Sequence, residues 1–125
     1  MTGLPSTKAT AREIAWSYWL AEIERDVDKV IAHYHPDAVF IHNGNRLQGH
    51  DQIRTFYEDS CSRFPKLEVE IVGENDLGPV SALEWKAAVT DKSGSRVQFV
   101  GVNLVTTSEG KFRKVSAYFD TSTLP

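Results

Sequence analysis

The chain has little of several things, and each shortage excludes something. It has one cysteine, Cys61, among 125 residues, so no internal disulfide and no cysteine-based metal cage can form. It has no excess of positive charge: 14 Lys and Arg against 17 Asp and Glu leave a net charge of −3. A nucleic-acid partner therefore gains no electrostatic support. No segment approaches the roughly 20 apolar residues of a membrane span, and the opening MTGLPSTKATARE carries no long apolar run. No membrane association is expected, and a cytoplasmic location is. The chain lacks internal repeats, low-complexity tracts, a serine-centred nucleophile elbow and a phosphate-cradling glycine loop.

What is present is an ordinary globular composition in a chain long enough for one real core and too short for two. We expect a single domain over residues 1–125, with 1–9 as a flexible extension. Thr10 followed by Glu13 forms a candidate capping box, with Ser6 and Thr7 equally placed to start the first helix. Ala11, Ile14, Tyr18 and Ala21 then share a face. Asp26 is placed to cap a second helix carrying Val27, Val30, Ile31 and Tyr34, which Pro36 ends. Asp37 to His42 reads as a strand, Asn43-Gly44-Asn45 as a turn, and Arg46 to Gln48 as a small return strand. After Gly49 a third helix bears Ile53, Phe56, Tyr57, Cys61 and Phe64, closing at Phe64-Pro65.

The remainder alternates as sheet. Leu67, Val69 and Ile71 alternate with glutamates; Leu83, Trp85, Ala87 and Val89 alternate with Glu84, Lys86 and Ala88. Val97 to Val105 is apolar on both faces, as a central strand is. Val115, Ala117 and Phe119 make one face of the last strand; Phe112, Lys114, Ser116 and Tyr118 make the other. Turns at Asp91–Gly94 and Ser108–Gly110 join the long strands as hairpins. Three helices followed by an antiparallel meander is an α+β architecture.

The most informative stretch is Tyr34 to Tyr57, YHPDAVFIHNGNRLQGHDQIRTFY. Alternation puts Phe40 and His42 on one strand face, an ionisable group beside an apolar one. His42, with an ordinary pKa near 6.5, accepts a proton at neutral pH without special tuning. The bland reading is a polar strand end beside Asn43, bonded to a loop or to solvent. His33 and His35 flank Tyr34 and point away from it; as metal ligands they lack a third partner, so no metal is expected. His50 opens a helix and is expected to be exposed, and Cys61 reads as a small buried residue.

The order of these elements resembles the nuclear transport factor 2-like superfamily, also called the SnoaL-like or ketosteroid isomerase-like fold, over roughly Thr10 to Asp120. The resemblance rests on the DAVF strand after a helix ending in Tyr, a turn then Gly, the QIRTFY helix and the closing GKFRKVSAYFD strand. It implies a cone, in which three N-terminal helices pack in a strongly curved, mainly antiparallel sheet around an apolar cavity. It also implies isomerases, cyclases, dehydratases and epoxide hydrolases acting on small hydrophobic molecules, alongside non-catalytic binding modules. By this resemblance Tyr18 matches the isomerases' hydrogen-bond donor to the substrate oxygen, and His42 falls where they carry a general-base aspartate. Tyr34 and Tyr57 match their supporting tyrosines, and Val102 falls where they carry a second, acidic donor. An aspartate in place of His42 would start roughly 2.5 units lower as a base.

The expected enzyme is a small cofactor-independent isomerase, cyclase or dehydratase that transfers a proton on a hydrophobic carbonyl compound. Its catalytic residues would be His42 and Tyr18, with Asp37 at the strand entrance as a minor candidate. Tyr34, Phe56, Tyr57, Leu83, Trp85, Gln98, Val100, Val102, Val115 and Phe119 would line the substrate cavity. The other sheet face, with Phe99, Phe112 and Tyr118 beside Gly101, Ser116 and Asn103, is expected to pair two copies into a homodimer. The alternative, from a different class, is a non-catalytic small-molecule-binding or protein-interaction module.

Overall fold

The computed structural model of the chain describes residues 4–120. Three helices, α1 (Ala11–Ile23), α2 (Val27–Ala32) and α3 (Gly49–Arg63), are interleaved with six strands: β1 (Tyr34–His42), β2 (Asn45–Gln48), β3 (Lys66–Asp76), β4 (Ser81–Thr90), β5 (Arg96–Ser108) and β6 (Lys111–Phe119). The strands form one sheet in the order β2-β1-β6-β5-β4-β3, antiparallel throughout except where β1 runs parallel to β6. The α+β expectation of three helices in a curved, mainly antiparallel sheet holds.

Local chemistry explains most boundaries. Thr10 Oγ1 accepts from the Glu13 amide while Glu13 Oε1 accepts from the Thr10 amide, so the capping box starts α1. Asp26 Oδ1 accepts from the Lys29 amide and starts α2. Asn43 and Gly44 both take positive φ, 46° and 89°, as a tight hairpin turn between β1 and β2 requires. The second helix ends earlier than its periodicity predicts. Tyr34 pairs with Phe112 across β1 and β6, and the Phe112 amide donates to the His33 carbonyl at 2.8 Å. Tertiary pairing therefore claims Tyr34 for the sheet before Pro36 is reached. Of the predicted N-terminal extension, residues 1–3 lie outside the described residues. Pro5 and Ser6 pass over the β5–β6 turn, where Gly110 (φ 80°) leaves no room for a side chain: a Cβ there would stand 2.6 Å from the Ser6 carbonyl oxygen.

Strand parity decides which side chains face inward, and here the structure corrects the sequence reading. The β4–β5 connection is the five-residue loop Asp91–Ser95, closed by the Asp91 amide on the Ser95 carbonyl and by Asp91 Oδ1 accepting from the Ser93 and Ser95 amides. Trp85 is thereby opposite Gly101, Leu83 opposite Asn103 and Ala87 opposite Phe99. Val97, Phe99, Gly101, Asn103 and Val105 thus share the inner face, while Gln98, Val100 and Val102 face outward. A one-residue difference in loop length would invert all of them. Gly101 is obligatory in this arrangement, because a Cβ there would collide with the Trp85 indole. Phe112 is likewise inside and 1% exposed, since the register slips between Thr106 and Thr107 and turns it toward Tyr34. Ile14, Val30, Tyr34, Ile53, Tyr57, Leu83, Val105, Phe112 and Val115 form the driest part of the core.

Candidate functional site

Between the inner sheet face, α1 and α3 lies a cavity of about 270 Å³. Its walls are aromatic: Trp19, Phe40, Phe56, Trp85, Phe99 and Phe119 all contribute. The Trp85, Phe99 and Phe119 rings meet pairwise at 5.5–5.8 Å between centroids. Trp85 Nε1 donates to Asn103 Oδ1 at 3.0 Å, which satisfies the buried indole and fixes the Asn103 amide at the wall. A larger groove of about 1270 Å³ runs over the outside of α1, but its charged groups Arg12, Glu24, Asp28 and Lys29 are solvated. The smaller cavity is lined by the buried Tyr18 and Tyr57 and by the largely buried Glu22 and Arg25.

One end of it is a hydrogen-bonded chain. Tyr18 Oη donates to Glu22 Oε2 at 2.7 Å. Tyr18 and Tyr57 hydroxyls are 2.6 Å apart, as are those of Tyr34 and Tyr57. A phenol has one hydrogen to give. With that of Tyr18 on Glu22, Tyr57 donates to Tyr18 and Tyr34 donates to Tyr57. Burial, then the Glu22 charge, pushes the Tyr18 hydroxyl well above the ordinary phenol value, so Tyr18 acts as a donor and not as a base. Burial also pushes the Glu22 carboxyl above the ordinary glutamate range, against the opposing effects of the Tyr18 hydroxyl and the Arg25 guanidinium. The Glu22 and Arg25 side chains are 13% and 12% exposed and 3.7 Å apart.

The other end holds His42. Its ring rests on Phe56, with centroids 4.5 Å apart, and beside Phe40 at 5.6 Å. Partial burial lowers its pKa below 6.5, so its neutral, proton-accepting form prevails at pH 7. The remaining histidines brace the backbone. His33 Nδ1 donates to the Lys29 carbonyl while Nε2 accepts from Ser17, an arrangement that, with burial lowering its pKa, keeps it neutral. His35 Nε2 donates to the Ser108 carbonyl. His50 is not exposed as expected: its Nε2 donates to the Tyr34 carbonyl at 2.8 Å. Among the described residues no three His, Cys, Asp or Glu side chains gather as a metal-binding group.

The expected residues divide clearly. Tyr18, His42, Phe56, Tyr57, Trp85 and Phe119 line the cavity. Tyr34 supports it from the core through Tyr57, and Leu83 and Val115 are packed in the core at 0% and 2% exposure. Gln98, Val100 and Val102 are on the outer face, for the parity reason above; Val100 is 60% exposed. Asp37 is also outside, solvated and 3.8 Å from Arg113. The inner position beside Val102 is Asn103, so the cavity's second polar wall group is an amide. Glu22, Arg25 and Asn103 were not anticipated. Tyr18 to Glu22 is one helical turn, a spacing that signals contact once Tyr18 is placed inside; Asn103 required the loop length.

Residues 15–115 match the SnoaL-like domain family, to which the chain therefore belongs. Solved structures share its fold. A Catenulispora acidiphila protein with a ketosteroid isomerase-like fold, in complex with trimethylamine, superposes with a TM-score of 0.82 at 15% identity, covering 92% of this chain and 91% of that one. TerC, co-crystallised with polyporic acid, gives 0.76 at 19% identity over 88% and 91%. An LEH-like epoxide hydrolase from M. tuberculosis gives 0.74 at 24% identity over 87% and 81%. No protein of curated function gives a match.

Proposed function

We propose that this chain is a small enzyme that moves a proton next to the carbonyl of an apolar, ring-containing compound, in an isomerisation, cyclisation or dehydration. The observation that carries this reading is a neutral histidine packed on Phe56 at an aromatic cavity that also holds the Tyr18 and Asn103 donor groups. His42 takes the proton; Tyr18 or the Asn103 amide donates to the oxygen on which charge develops. Tyr34 and Tyr57 fix Tyr18 by the hydrogen-bonded chain. The mechanism calls on no cofactor. Proteins that share its fold include one crystallised with polyporic acid and an epoxide hydrolase, which supports a small organic ligand. The test is hydrogen–deuterium exchange at the acidic C–H of β-tetralone, followed by NMR. Exchange catalysed by the wild type and equally by His42→Ala and Tyr18→Phe would refute the mechanism.

A second reading, a non-catalytic ligand-binding module, is favoured by one observation: the Tyr18 hydrogen is already committed to Glu22. Ligand binding without exchange would support it. We also propose a homodimer through the outer sheet face, now assigned to Val100, Val102 and Tyr118; Val100 and Tyr118 are 60% and 50% exposed. Sedimentation of wild type as a dimer and of Val100→Glu as a monomer would support it, and a monomeric wild type would remove it. Among the described residues no helix is long and apolar enough to cross a membrane.

A further inference from the structure

The turn between α1 and α2 carries an arginine where a helix end ordinarily takes glycine. The Arg25 amide donates to the Glu22 carbonyl at 2.9 Å and the Asp26 amide to the Ala21 carbonyl at 3.1 Å. This paired closure puts the residue after the helix cap in the left-handed region, and Arg25 is there with φ 56°. Glycine adopts that conformation freely, whereas a residue with a Cβ is strained in it. Such strain persists where the surroundings impose it, and it concentrates at functional sites. The consequence here is positional. The Arg25 side chain folds back to line the cavity beside Glu22 and Ser60.

Its donors are poorly used. A guanidinium has five N–H donors in a planar fork suited to paired oxygens. Arg25 Nη1 donates to the Glu22 backbone carbonyl at 3.0 Å, and Nη2 reaches Ser60 Oγ only at 3.5 Å. Its Nε is buried without a hydrogen-bond partner. The Glu22 carboxylate, at 3.7 Å, is near enough to feel the charge but too far to accept a hydrogen bond.

We infer that Arg25 recognises an anionic oxygen, carboxylate or phenolate, carried on the aromatic ring system that fills the cavity, and that Glu22 takes up a proton as this anion binds. The inference rests on the reading of the cavity as a ligand site. Two facing anions in a dry cavity repel strongly, and protonating Glu22 removes one of them. The groups around Glu22 are Tyr18 on its own helix, Arg25 in the turn, Tyr34 on β1, and Tyr57 and Cys61 on α3, with Asp59 and Arg63 further along the wall; β3 offers only Leu67 and Val69. Burial already raises the Glu22 pKa. Protonated Glu22 donates back to Tyr18, whose own hydrogen then turns toward the ligand, resolving the conflict noted above.

Isothermal titration with naphthoate and its neutral counterpart naphthamide, in two buffers of different ionisation enthalpy, tests this. The wild type is expected to bind naphthoate at least ~10-fold more tightly than naphthamide, with uptake of about one proton per naphthoate bound. Glu22→Gln keeps the preference and loses the proton uptake. The double variant E22Q/R25G, which removes both facing charges and places glycine at the left-handed position of the turn, melts at or above the wild-type temperature and shows no preference. Equal binding of the two probes to wild type, or a preference surviving in E22Q/R25G, overturns the anion site while leaving the cavity reading intact. Binding of neither probe to wild type overturns both.

Discussion

The two ends of the cavity are built on opposite principles. At the α1–α3 end, Tyr34, Tyr57, Tyr18 and Glu22 form a buried, continuous relay of hydrogen bonds of 2.6–2.7 Å, in which every hydroxyl has a fixed direction. At the β1 end, His42 is half-buried and held by ring contacts with Phe40 and Phe56. The first end is preorganised and dry, which makes its dipoles effective and its unpaired groups costly. The second remains near solvent, from which a base can exchange its proton. A proton-transfer site needs both: a rigid place for developing charge and a base that can be reset.

That contrast can be broken or sharpened by substitution. The largest expected effect is on His42→Ala, which should lower β-tetralone exchange by roughly 10²–10⁴-fold while moving the thermal midpoint little. Tyr18→Phe should lower exchange by about 10²–10³-fold, as for loss of one oxyanion donor, measured in the same assay. Tyr57→Phe strikes the hub of the relay and leaves buried hydroxyls without partners; denaturant unfolding should show a loss of about 1–3 kcal/mol. If His42→Ala instead proves the destabilising change and Tyr57→Phe the silent one, the division between the ends is wrong.

Glu22 gives a pH-dependent test. Its folded pKa lies above the ordinary 4.5, so the protonated form is the one the fold prefers. The stability it contributes is full below about pH 4.5 and is lost as the pH rises through the folded value. Glu22→Gln keeps an acceptor for Tyr18 and cannot ionise. Its stability relative to wild type should therefore increase with pH over that window, as read from urea midpoints at successive pH values. The smallest effect belongs to Asp37→Asn. Asp37 is solvated beside Arg113, so both exchange and stability should change by no more than about 0.5 kcal/mol.

The fold was largely legible because its signals are local. The Thr10–Glu13 box, the Asp26 cap, the Asn43-Gly44 turn and the alternation of β4 each act through neighbours in sequence. What misled was parity across β5. Val97 to Val105 is apolar at nearly every position, so alternation alone cannot orient it. The choice is made by the loop Asp91–Ser95, whose five-residue closure depends on Asp91 side-chain hydrogen bonds. Phe112 went astray for a related reason, since a bulge at Arg113 interrupts the alternation of β6. At the cavity, His42, Tyr18 and Tyr57 lie where strand and helix periodicity turns them inward, while the roles expected of them came from the family resemblance. Glu22 and Arg25 were not anticipated, because a charged residue at a helix end reads as solvated until the left-handed turn at Arg25 shows where its side chain goes.

The most direct test is an NMR pH titration of the four histidines with and without saturating naphthamide, a neutral occupant of the cavity. His42 should titrate below 6.5 when the cavity is empty, and its resonances and midpoint should move when naphthamide fills it. The ring resonances of His33, His35 and His50, each tied to a backbone carbonyl outside the cavity wall, should stay in place when naphthamide binds at fixed pH. A His42 titration unchanged by a bound cavity ligand would contradict its role as the base.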